Sequence, residues 1–517
     1  MESITHRSFA AGVAAAGLAT SAIAASAFAS EAAATHTGGN VPDAWDLECE
    51  VLALGGGCAG MSAAYKAAEL GADVMLLESR GSTQENSTYY CMGNFNVVGS
   101  DEQAAMGIED SPEAYAEDFM NIGRANYPTE ETWHNVDAIK RYAEHTVDAY
   151  RLLKDWGLEF PDPIPATGNT VVRCHALDNR HMMDLLTEHA AEAGVDIHYN
   201  TEFTELIVDG NGEALGAFAI DPDGNQIAVK AKKATVLATG PFMRNKAMME
   251  ECMPGVSDVD VVCGLGAYGA GHMAAEKLGA TMWGRNNLYL VGGYDPFGTL
   301  NYCELCQFGA IDVNRDGDRF CNDGNHWSYE RSQATINQGI NPETGTYFSW
   351  VIIDQSMYDN AMEIGAPLGL TETSAELLKK ADTIEELAEL IGTPNLPATV
   401  AKYNEDLANG GDTLFGRIYR NGAGTGDPIP LENPPFYAWA ERPCVLLSPT
   451  IGFITNEKNE LLDVYGKPLG GGRLFACGEL TERTVTGNKY LVGSAISYGT
   501  TMGLLIGEDA AALESWE

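Results

Sequence analysis

Basic residues are scarce in this chain. Its 517 residues include 31 lysines and arginines against 73 aspartates and glutamates, which gives a formal net charge of −42. Such an excess of negative charge opposes binding to the phosphates of nucleic acids and to anionic membranes. We therefore expect no nucleic-acid partner, and we interpret the charge as promoting solubility in an exposed compartment.

Long apolar runs and two cofactor motifs are also missing. After residue 29, no stretch reaches the roughly 18 apolar residues of a membrane-spanning helix, so no membrane span is expected in the mature chain. The absence of C-x-x-C-H excludes a c-type haem attached to this chain. No second glycine-rich nucleotide motif is present, so we do not expect electrons to arrive from NAD(H).

Residues 1–29 predict an export signal. A short polar start precedes an alanine-rich, mildly apolar run, and residues 27–29 supply the small-residue site. Residues 5–9 resemble a twin-arginine signal in which histidine replaces the first arginine. We expect an exported, extracytoplasmic protein, in the periplasm or at the cell surface, with a linker at residues 30–47. The alternative is an alanine-rich tail without a targeting role.

What the sequence does contain is a dinucleotide-binding motif in a βαβ frame. An apolar strand is followed by the glycine turn 55–60, a helical run and a second strand that ends at Glu78. Gly55, Gly57 and Gly60 fit G-x-G-x-x-G. The first glycine allows the turn, the second lets backbone approach a pyrophosphate, and the third lets helix and strand pack closely. Glu78 ends the second strand, where an acid can bond the ribose hydroxyls.

Further along the chain, alternating apolar and polar residues predict a β-meander. Strands are expected at 203–208 and 214–220, each followed by a glycine-containing turn. A third, apolar strand then ends in A-T-G at 238–240. Apolar residues with helical period predict helices within 112–156 and at 181–193.

Taken in order along the chain, these features resemble one superfamily of flavoproteins. The glycine motif, the β-meander and the A-T-G strand match the FAD domain of the fumarate reductase and 3-ketosteroid dehydrogenase superfamily (FAD-binding type 2). Three further segments resemble its motifs: V-N-R-D-G-D-R-F at 313–320, A-D-T-I-E-E-L-A at 381–388 and L-F-A-C-G-E at 474–479. The match is colinear from about residue 48 to 515.

The resemblance implies an α/β fold built on a Rossmann-like FAD domain of the two-dinucleotide-binding-domain type, with a β-meander. An α+β capping domain is expected to be inserted into it. The FAD domain is expected at 48–283 and 445–517, and the capping domain, which contributes to the substrate site, at 284–444. Closure of the cap would exclude water from the reacting groups.

The resemblance also implies FAD as cofactor. It is expected to be bound noncovalently, because nothing at 81–95 resembles the motifs for covalent attachment. The residues carried over by motif are Gly55, Gly57, Gly60, Glu78, Asn86, Ser87, Gly93, Ala238, Thr239, Gly240, Glu479, Ser494, Ala495 and Ile496. One departure lies in the family's T-G-D-G loop, which reads A-Y-G-A at 267–270 and lacks the acid that contacts the cofactor.

The substrate-binding residues of fumarate reductases are missing. The family's carboxylate-binding histidine and arginine align with Pro449 and Tyr490, and its Glu-x-x-Arg pair aligns with Cys303 and Cys306. Because a buried dicarboxylate without cationic partners is costly, fumarate and succinate are disfavoured as substrates. Tyr490, followed by Leu-Val-Gly, instead resembles the Y-P-G of ketosteroid dehydrogenases, where a tyrosine and a glycine amide polarise a ketone.

These departures predict an ene-reductase that transfers hydride from reduced flavin to a carbonyl-conjugated C=C bond of an organic acceptor. Tyr490 is the predicted carbonyl-polarising residue, with a packing tyrosine as the alternative. Arg331 is the nearest counterpart of the family's proton-donating arginine, and a solvated surface position is its alternative. His326 and Tyr329 are competing donors. Aromatic residues concentrated at 283–360 suit an aromatic or polycyclic substrate, unless they are core packing.

No metal site is predicted. An iron–sulfur cluster on Cys303, Cys306 and Cys321 is disfavoured because no fourth ligand follows at short spacing, and buried thiols or a disulfide are the alternatives. Electrons are expected from a separate haem-containing or quinol-linked protein in anaerobic respiration. Two other functions stay open: a dehydrogenase that introduces a C=C bond next to a ketone, and a non-catalytic flavin-binding carrier.

Overall fold

The structure is a computed structural model that describes residues 39–124, 135–166, 168–285, 289–293, 305–324, 328–342, 345–365, 369–417, 428–447, 450–487 and 490–516. The predicted export signal at 1–29 lies outside the described residues, as do Cys303, His326 and Pro449. Within the described ranges, no helix combines the length and apolarity needed to cross a bilayer.

Strands and helices are mixed along the whole described chain. The strands are β1 Leu47–Leu54, β2 Val74–Leu77, β3 Asn94–Asn96, β4 Cys174–Ala176, β5 Asp196–His198, β6 Glu202–Val208, β7 Ala214–Ile220, β8 Gln226–Leu237, β9 Asp260–Val261, β10 Tyr289–Gly293, β11 Ile311–Val313, β12 Ser349–Ile353, β13 Lys379–Ala381, β14 Phe436–Leu447 and β15 Leu474–Ala476. The helices are α1 Cys58–Glu69, α2 Ser87–Tyr90, α3 Asp101–Ala105, α4 Pro112–Arg124, α5 Val136–Asp155, α6 Asn179–Glu192, α7 Lys246–Cys252, α8 Ala270–Leu278, α9 Ser328–Asn337, α10 Gln355–Ile364, α11 Glu372–Ala375, α12 Ile384–Ile391, α13 Leu396–Ala408, α14 Arg483–Thr486 and α15 Ser494–Ala511.

The first sheet has the strand order β5-β2-β1-β8-β7-β6, with β15 also paired to β8. Strands β5, β2, β1, β8 and β15 are parallel to their neighbours, whereas β7 and β6 continue from β8 as an antiparallel meander. The predicted βαβ frame, the β-meander and the mixed α/β class are therefore confirmed. In a parallel arrangement the carboxyl ends of β1, β2 and β8 meet at one edge, where ligands bind in open α/β sheets.

Helices α1 and α15 cover one face of this sheet and pack at backbone distance. A Cβ atom added at Gly503 or Gly507 of α15 would lie 2.4 Å from the carbonyl oxygen of Ala59 or Ala63 in α1. The two glycines therefore set the closeness of the helix pair. This packing brings the N-terminus of α15 beside the N-terminus of α1, at the edge where β1 ends.

A second sheet has the order β10-β14-β12-β11, and β13 and β9 also pair with β14. Its hydrophobic core consists of buried residues between Leu305 and Trp439. Strand β14 runs from Phe436 to Leu447 and therefore passes through the predicted domain boundary at 444. The domain boundaries themselves stay a prediction.

Beside the second sheet, a buried ion network joins the loop after β11 to the loop after α13. The guanidinium of Arg319 donates two hydrogen bonds of 2.8 Å to Asp323 and two of 2.9 Å to Asp412. Arg417 donates to Oδ1 of Asp323 at 3.2 Å. Because the carboxylates and guanidiniums are buried together, their charges are compensated within the network.

The helical stretch expected at 112–156 is two helices, α4 and α5, with 125–134 outside the described residues. The side chain of Asn135 accepts a hydrogen bond of 3.2 Å from the backbone N–H of Ala138, so a new helix begins at Val136. The helix predicted at 181–193 is confirmed as α6, which starts two residues earlier because Asp178 caps its N-terminus.

Candidate active site

A cleft lies at the carboxyl ends of β1, β2 and β8. Most of the predicted cofactor residues line it. They are Gly55, Gly57, Glu78, Asn86, Ser87, Ala238, Thr239, Gly240, Glu479, Ala495 and Ile496. The structure thus brings together residues that are more than 400 positions apart in the sequence.

The three glycines of the turn have different surroundings. A Cβ atom added at Gly55, whose φ is +109°, would lie 2.4 Å from the carbonyl oxygen of Ala238, and one at Gly60 would lie 1.9 Å from that of Gly55. A Cβ atom added at Gly57 would meet only the Thr88 hydroxyl, at 3.6 Å. The fold itself therefore requires glycine at the first and third positions, whereas Gly57 leaves its backbone open to the cleft.

The end of β2 holds a buried carboxylate against the same turn. Glu78 accepts hydrogen bonds from the backbone N–H of Gly56 at 2.7 Å and from that of Arg80 at 2.8 Å. Burial raises the pKa of Glu78, and these two hydrogen bonds oppose that shift. The acid is fixed in the lining of the cleft by its own backbone neighbours.

The chemistry of the lining fits a dinucleotide. The N-terminus of α1 carries the positive end of the helix dipole, and Gly57, Cys58 and Ala59 expose it to the cleft. The hydroxyl of Thr239 and Nε of Arg80 are buried and have no hydrogen-bond partner within the described part of the chain. Donors at a helix N-terminus suit a pyrophosphate, and a carboxylate at the end of the next strand suits a ribose.

The loop at 267–270, whose residues were not among the predicted cofactor contacts, closes the cleft from the side of α8. Ala267, Tyr268 and Ala270 line it, although the family's acid is absent from this loop. The guanidinium of Arg80 lies over the Tyr268 ring at 6.0 Å. Arg244 supports the loop by donating to the carbonyl oxygen of Gly264 at 2.9 Å. The position of A-Y-G-A just before a helix was the available signal.

Three predicted cofactor residues do not line the cleft. Gly60 lies beneath the turn, and a Cβ atom added at Gly93 would lie 2.1 Å from the carbonyl oxygen of Leu177. The Ser494 hydroxyl donates a hydrogen bond of 2.7 Å to the Glu482 carboxyl group. These contacts explain the two glycines by close packing and Ser494 by its hydrogen bond, and the roles of all three at the cofactor stay predictions.

The predicted substrate side follows β15 along the chain. Tyr490 is buried, with 8% of its surface exposed, and it is not part of the cleft lining. Arg483, which the sequence analysis overlooked, donates to the carbonyl oxygens of Thr450 and Gly487. Burial lowers the pKa of Arg483 to about 10. This arginine thus connects the segment after Pro449 to the segment before Tyr490.

Arg331 is not a solvated surface residue. Only 1% of it is exposed, and its Nη2 donates to Oε1 of Glu441 at 2.8 Å. Cys306 and Cys321 are buried free thiols, and burial raises the pKa of both. Among the residues that the structure covers, no group of His, Cys, Asp and Glu side chains is arranged to hold a metal ion. The competing donor His326 lies outside these residues.

The sheet and its cleft define a dinucleotide-binding protein of the α/β class. The model of the FAD binding domain family matches residues 50–496. The chain belongs to this family and is an FAD-dependent oxidoreductase, which confirms the predicted cofactor and superfamily.

Relatives of known identity agree with this assignment. A probable fumarate reductase of Shewanella frigidimarina is 30% identical over 474 residues, covering 89% of this chain and 74% of that protein. The open conformation of a flavocytochrome c3 fumarate reductase superposes with a TM-score of 0.74 at 28% identity, covering 90% of this chain and 78% of that one. A 3-ketosteroid-Δ4-(5α)-dehydrogenase of Rhodococcus jostii, in complex with 4-androstene-3,17-dione, gives a TM-score of 0.68 at 25% identity, with 91% and 98% covered.

Proposed function

We propose that the protein is an exported reductase of carbonyl-conjugated C=C bonds and is not a fumarate reductase. A probable fumarate reductase and a 3-ketosteroid-Δ4-(5α)-dehydrogenase are among its relatives. FAD, held noncovalently in the cleft, supplies the hydride equivalent when it is bound and reduced. The substrate binds between the cleft and the second sheet, under the proposed capping domain at 284–444.

One observation carries the proposal: the positions that align with the carboxylate anchors of fumarate reductases are not cationic. Pro449 stands in place of the histidine, and Tyr490, which is buried, stands in place of the arginine. Two buried arginines of this region already have partners in the protein. Arg331 binds the carboxylate of Glu441, and Arg483 binds two backbone carbonyls. A dianionic substrate would therefore be poorly compensated.

The residues of this chain are assigned the following roles. Tyr490 donates its O–H to the substrate carbonyl and stabilises the negative charge that develops on that oxygen. Arg331 gives a proton to the α-carbon, with His326 as the competing donor. Ala495 and Ile496 lie in the first turn of α15, and the positive end of this helix stabilises negative charge in the cleft.

The reverse reaction is the second candidate. It is supported by the similarity to the 3-ketosteroid dehydrogenase, of which this chain covers 98%. In that case a saturated ketone would reduce the bound flavin under anaerobic conditions. A flavin-binding carrier without catalysis would show neither reaction.

Export and the electron donor complete the proposal. The net charge of −42 favours solubility in a compartment outside the cytoplasm. There the protein would receive electrons from a haem-containing or quinol-linked donor. Cell fractionation of the full chain tests the export. The chain in the cytoplasmic fraction, with residues 1–29 still attached, would contradict it.

The substitution Tyr490→Phe tests the site. With the holoenzyme reduced by dithionite, we expect reoxidation by a conjugated enone to slow on the order of 100-fold, because removing one such donor typically costs this much. The FAD content should not change. Tyr465→Phe is the matched control, because Tyr465 is 90% exposed. Normal reoxidation of the Tyr490→Phe enzyme would show that the site assignment is wrong.

A further inference from the structure

The turn between Tyr490 and α15 is fixed through three consecutive backbone carbonyls. The first, of Leu491, accepts a hydrogen bond of 3.1 Å from the backbone N–H of Ser494. The third, of Gly493, accepts one of 3.0 Å from the backbone of β3. The middle carbonyl, of Val492, accepts two hydrogen bonds from side chains. The peptide planes that follow Tyr490 therefore cannot rotate without losing hydrogen bonds.

The two side chains that bind the Val492 carbonyl are asparagine amides. Nδ2 of Asn96 donates to it at 2.9 Å, and Nδ2 of Asn169 donates at 3.0 Å. Asn96 ends β3 and is fully buried, whereas Asn169 lies in the loop before β4 and is half-buried. A carbonyl oxygen has two lone pairs, so both are used here. Two segments that lie 396 and 323 residues before Val492 thus meet at one atom.

Arg173, which immediately precedes β4, orients both amides. Its Nη1 donates to Oδ1 of Asn169 at 3.1 Å, so that the nitrogen of this amide faces Val492. The Arg173 guanidinium also lies over the Tyr115 ring, 4.4 Å from the ring centroid. The hydroxyl of Tyr115 accepts a second hydrogen bond of 2.9 Å from Nδ2 of Asn96. One arginine therefore supports both donors to the Val492 carbonyl.

Buried acids hold the arginine itself in place. Asp110 accepts hydrogen bonds from Nε and Nη2 of Arg173 at 2.9 and 2.8 Å, and Asp118 accepts one from Nη1. The side chains of Arg173 and Asp110 have no exposed surface. A bidentate ion pair fixes the orientation of a guanidinium as well as its position. The pairing of β3 with β4 brings this cluster beside Asn96, because Asn96 lies opposite Cys174.

We propose that Asn96 and Asn169 are positioning residues for Tyr490. They hold the turn after Tyr490 so that its O–H meets the carbonyl oxygen of the substrate. The inference rests on the proposed function, in which Tyr490 polarises that carbonyl. The two asparagines act through the carbonyl of Val492 and do not touch the substrate. Because a misplacement of about 1 Å costs on the order of 100-fold in rate, this anchoring sets the efficiency of the Tyr490 donor.

Fluorine NMR tests the positioning without any substrate. The holoenzyme is labelled with 3-fluorotyrosine, and the resonance that is missing from Tyr490→Phe is assigned to Tyr490. We expect this resonance to shift in Asn169→Asp, because the substitution places an acceptor instead of an N–H donor opposite the Val492 carbonyl. A Tyr490 resonance that keeps its position in Asn169→Asp would overturn the proposal.

The matched control is Thr170→Val, at the next position of the same loop. The Thr170 hydroxyl donates to Oδ1 of Asp118 at 2.6 Å and does not bind Val492. Thr170→Val therefore removes a hydrogen bond to the ion cluster but leaves both amide donors in place, and the Tyr490 resonance should not move. An equal shift in Thr170→Val and Asn169→Asp would overturn the assignment of the effect to the amide.

A double-mutant cycle tests the consequence for the reaction. Asn169→Asp alone should lower the limiting rate at which a saturating enone reoxidises the reduced holoenzyme, on the order of 100-fold. In a Tyr490→Phe background the same substitution should have almost no further effect, because the donor that it misplaces is already absent. A purely structural role would lower the rate by the same factor in both backgrounds, and that result would overturn the proposal.

Failure of the proposed function would give a different pattern. If the unsubstituted enzyme reacts with no enone, the proposed function is wrong, but the fluorine shift still decides whether Asn169 positions Tyr490. Asn96→Asp, at the second donor, should reproduce the shift, and a folded Asn96→Asp protein with an unchanged resonance would overturn the role of Asn96. If this variant does not fold, Asn169→Asp, at the half-buried position, keeps the experiment decisive.

Discussion

The carboxylate of Glu78 accepts a hydrogen bond of 2.7 Å from the backbone N–H of Gly56. This bond joins the end of β2 to the glycine turn that follows β1. The same turn is closed from below by Gly60, which lies against the carbonyl oxygen of Gly55. The glycine turn that should bind the dinucleotide is therefore held in its conformation by contacts within the protein.

The glycines of this turn should separate folding from cofactor binding. Gly57→Ala should weaken FAD binding on the order of tenfold, or about 1.4 kcal/mol, because its Cβ atom enters the open side of the turn. The stability of the apoprotein should not change. Gly60→Ala should instead lower the free energy of unfolding by about 1–3 kcal/mol, because its Cβ atom would overlap the carbonyl oxygen of Gly55. FAD titration and thermal unfolding of the apoprotein measure the two effects.

A control for these variants is Gly210→Ala, since a Cβ atom at Gly210 meets nothing within 4 Å. Gly210→Ala should change neither the affinity for FAD nor the free energy of unfolding of the apoprotein. An unchanged FAD affinity in Gly57→Ala would contradict the assignment of this turn to the pyrophosphate.

Asp323→Asn should strongly lower the free energy of unfolding of the part of the chain that contains the second sheet. Asp323 is buried between Arg319 and Arg417, so the substitution removes a negative charge that two guanidiniums share. Breaking a buried pair from one side typically costs about 3–5 kcal/mol, which denaturant unfolding would detect. Asp316→Asn, at an exposed position of the same segment, is the control. A loss no larger than in this control would mean that the network contributes little.

Glu482 should make the protein less stable at high pH. Burial raises the pKa of its carboxyl group from an ordinary 4.5 to about 8, so the folded state keeps a proton that the unfolded state releases. The contribution of this group to the free energy of unfolding therefore falls as the pH rises from 4.5 to about 8, by up to about 1.4 kcal/mol per pH unit.

Denaturant unfolding at several pH values checks this sign. Glu482→Gln should gain stability relative to the unsubstituted protein as the pH rises through that window. Glu508→Gln, on the exposed side of α15, should show no such trend. Parallel pH profiles for the Glu482→Gln and unsubstituted proteins would rule out a protonated Glu482.

His272 should make the protein less stable at low pH. It is fully buried next to Phe242 and Phe453, and burial lowers its pKa from 6.5 to about 3. The unfolded state binds a proton below pH 6.5 that the folded state does not, so stability is lost as the pH falls from 6.5 towards 3. His272→Leu should flatten this part of the stability profile, and His181→Gln, at an exposed position, should not. An unchanged acid limb would contradict the prediction.

The sequence predicted the elements whose signals are local. The glycine spacing and the alternating strands identified β1, β6 and β7 to within a residue or a few, because both patterns follow from backbone geometry over a few positions. The cofactor residues near each motif could be carried over for the same reason. The lining by Tyr268 was missed, because the family's acid is absent from its loop and only the position of the loop before a helix remained as a signal.

The features that the sequence did not predict depend on contacts between residues that are far apart in the chain. Arg331 and Glu441 are 110 residues apart, and their contact depends on the packing of α9 against β14. Sequence spacing alone could not show that Arg331 is buried. The same limit applies to Arg483, whose partners Thr450 and Gly487 belong to separate segments.

The most direct test of the function is the reoxidation of dithionite-reduced holoenzyme by a panel of acceptors under anaerobic conditions. The panel contains fumarate and several conjugated enones, including 4-androstene-3,17-dione, and flavin absorbance is followed after mixing. We predict that at least one enone reoxidises the flavin and yields the saturated ketone, whereas fumarate does not react. Reoxidation by fumarate in preference to every enone would contradict the account.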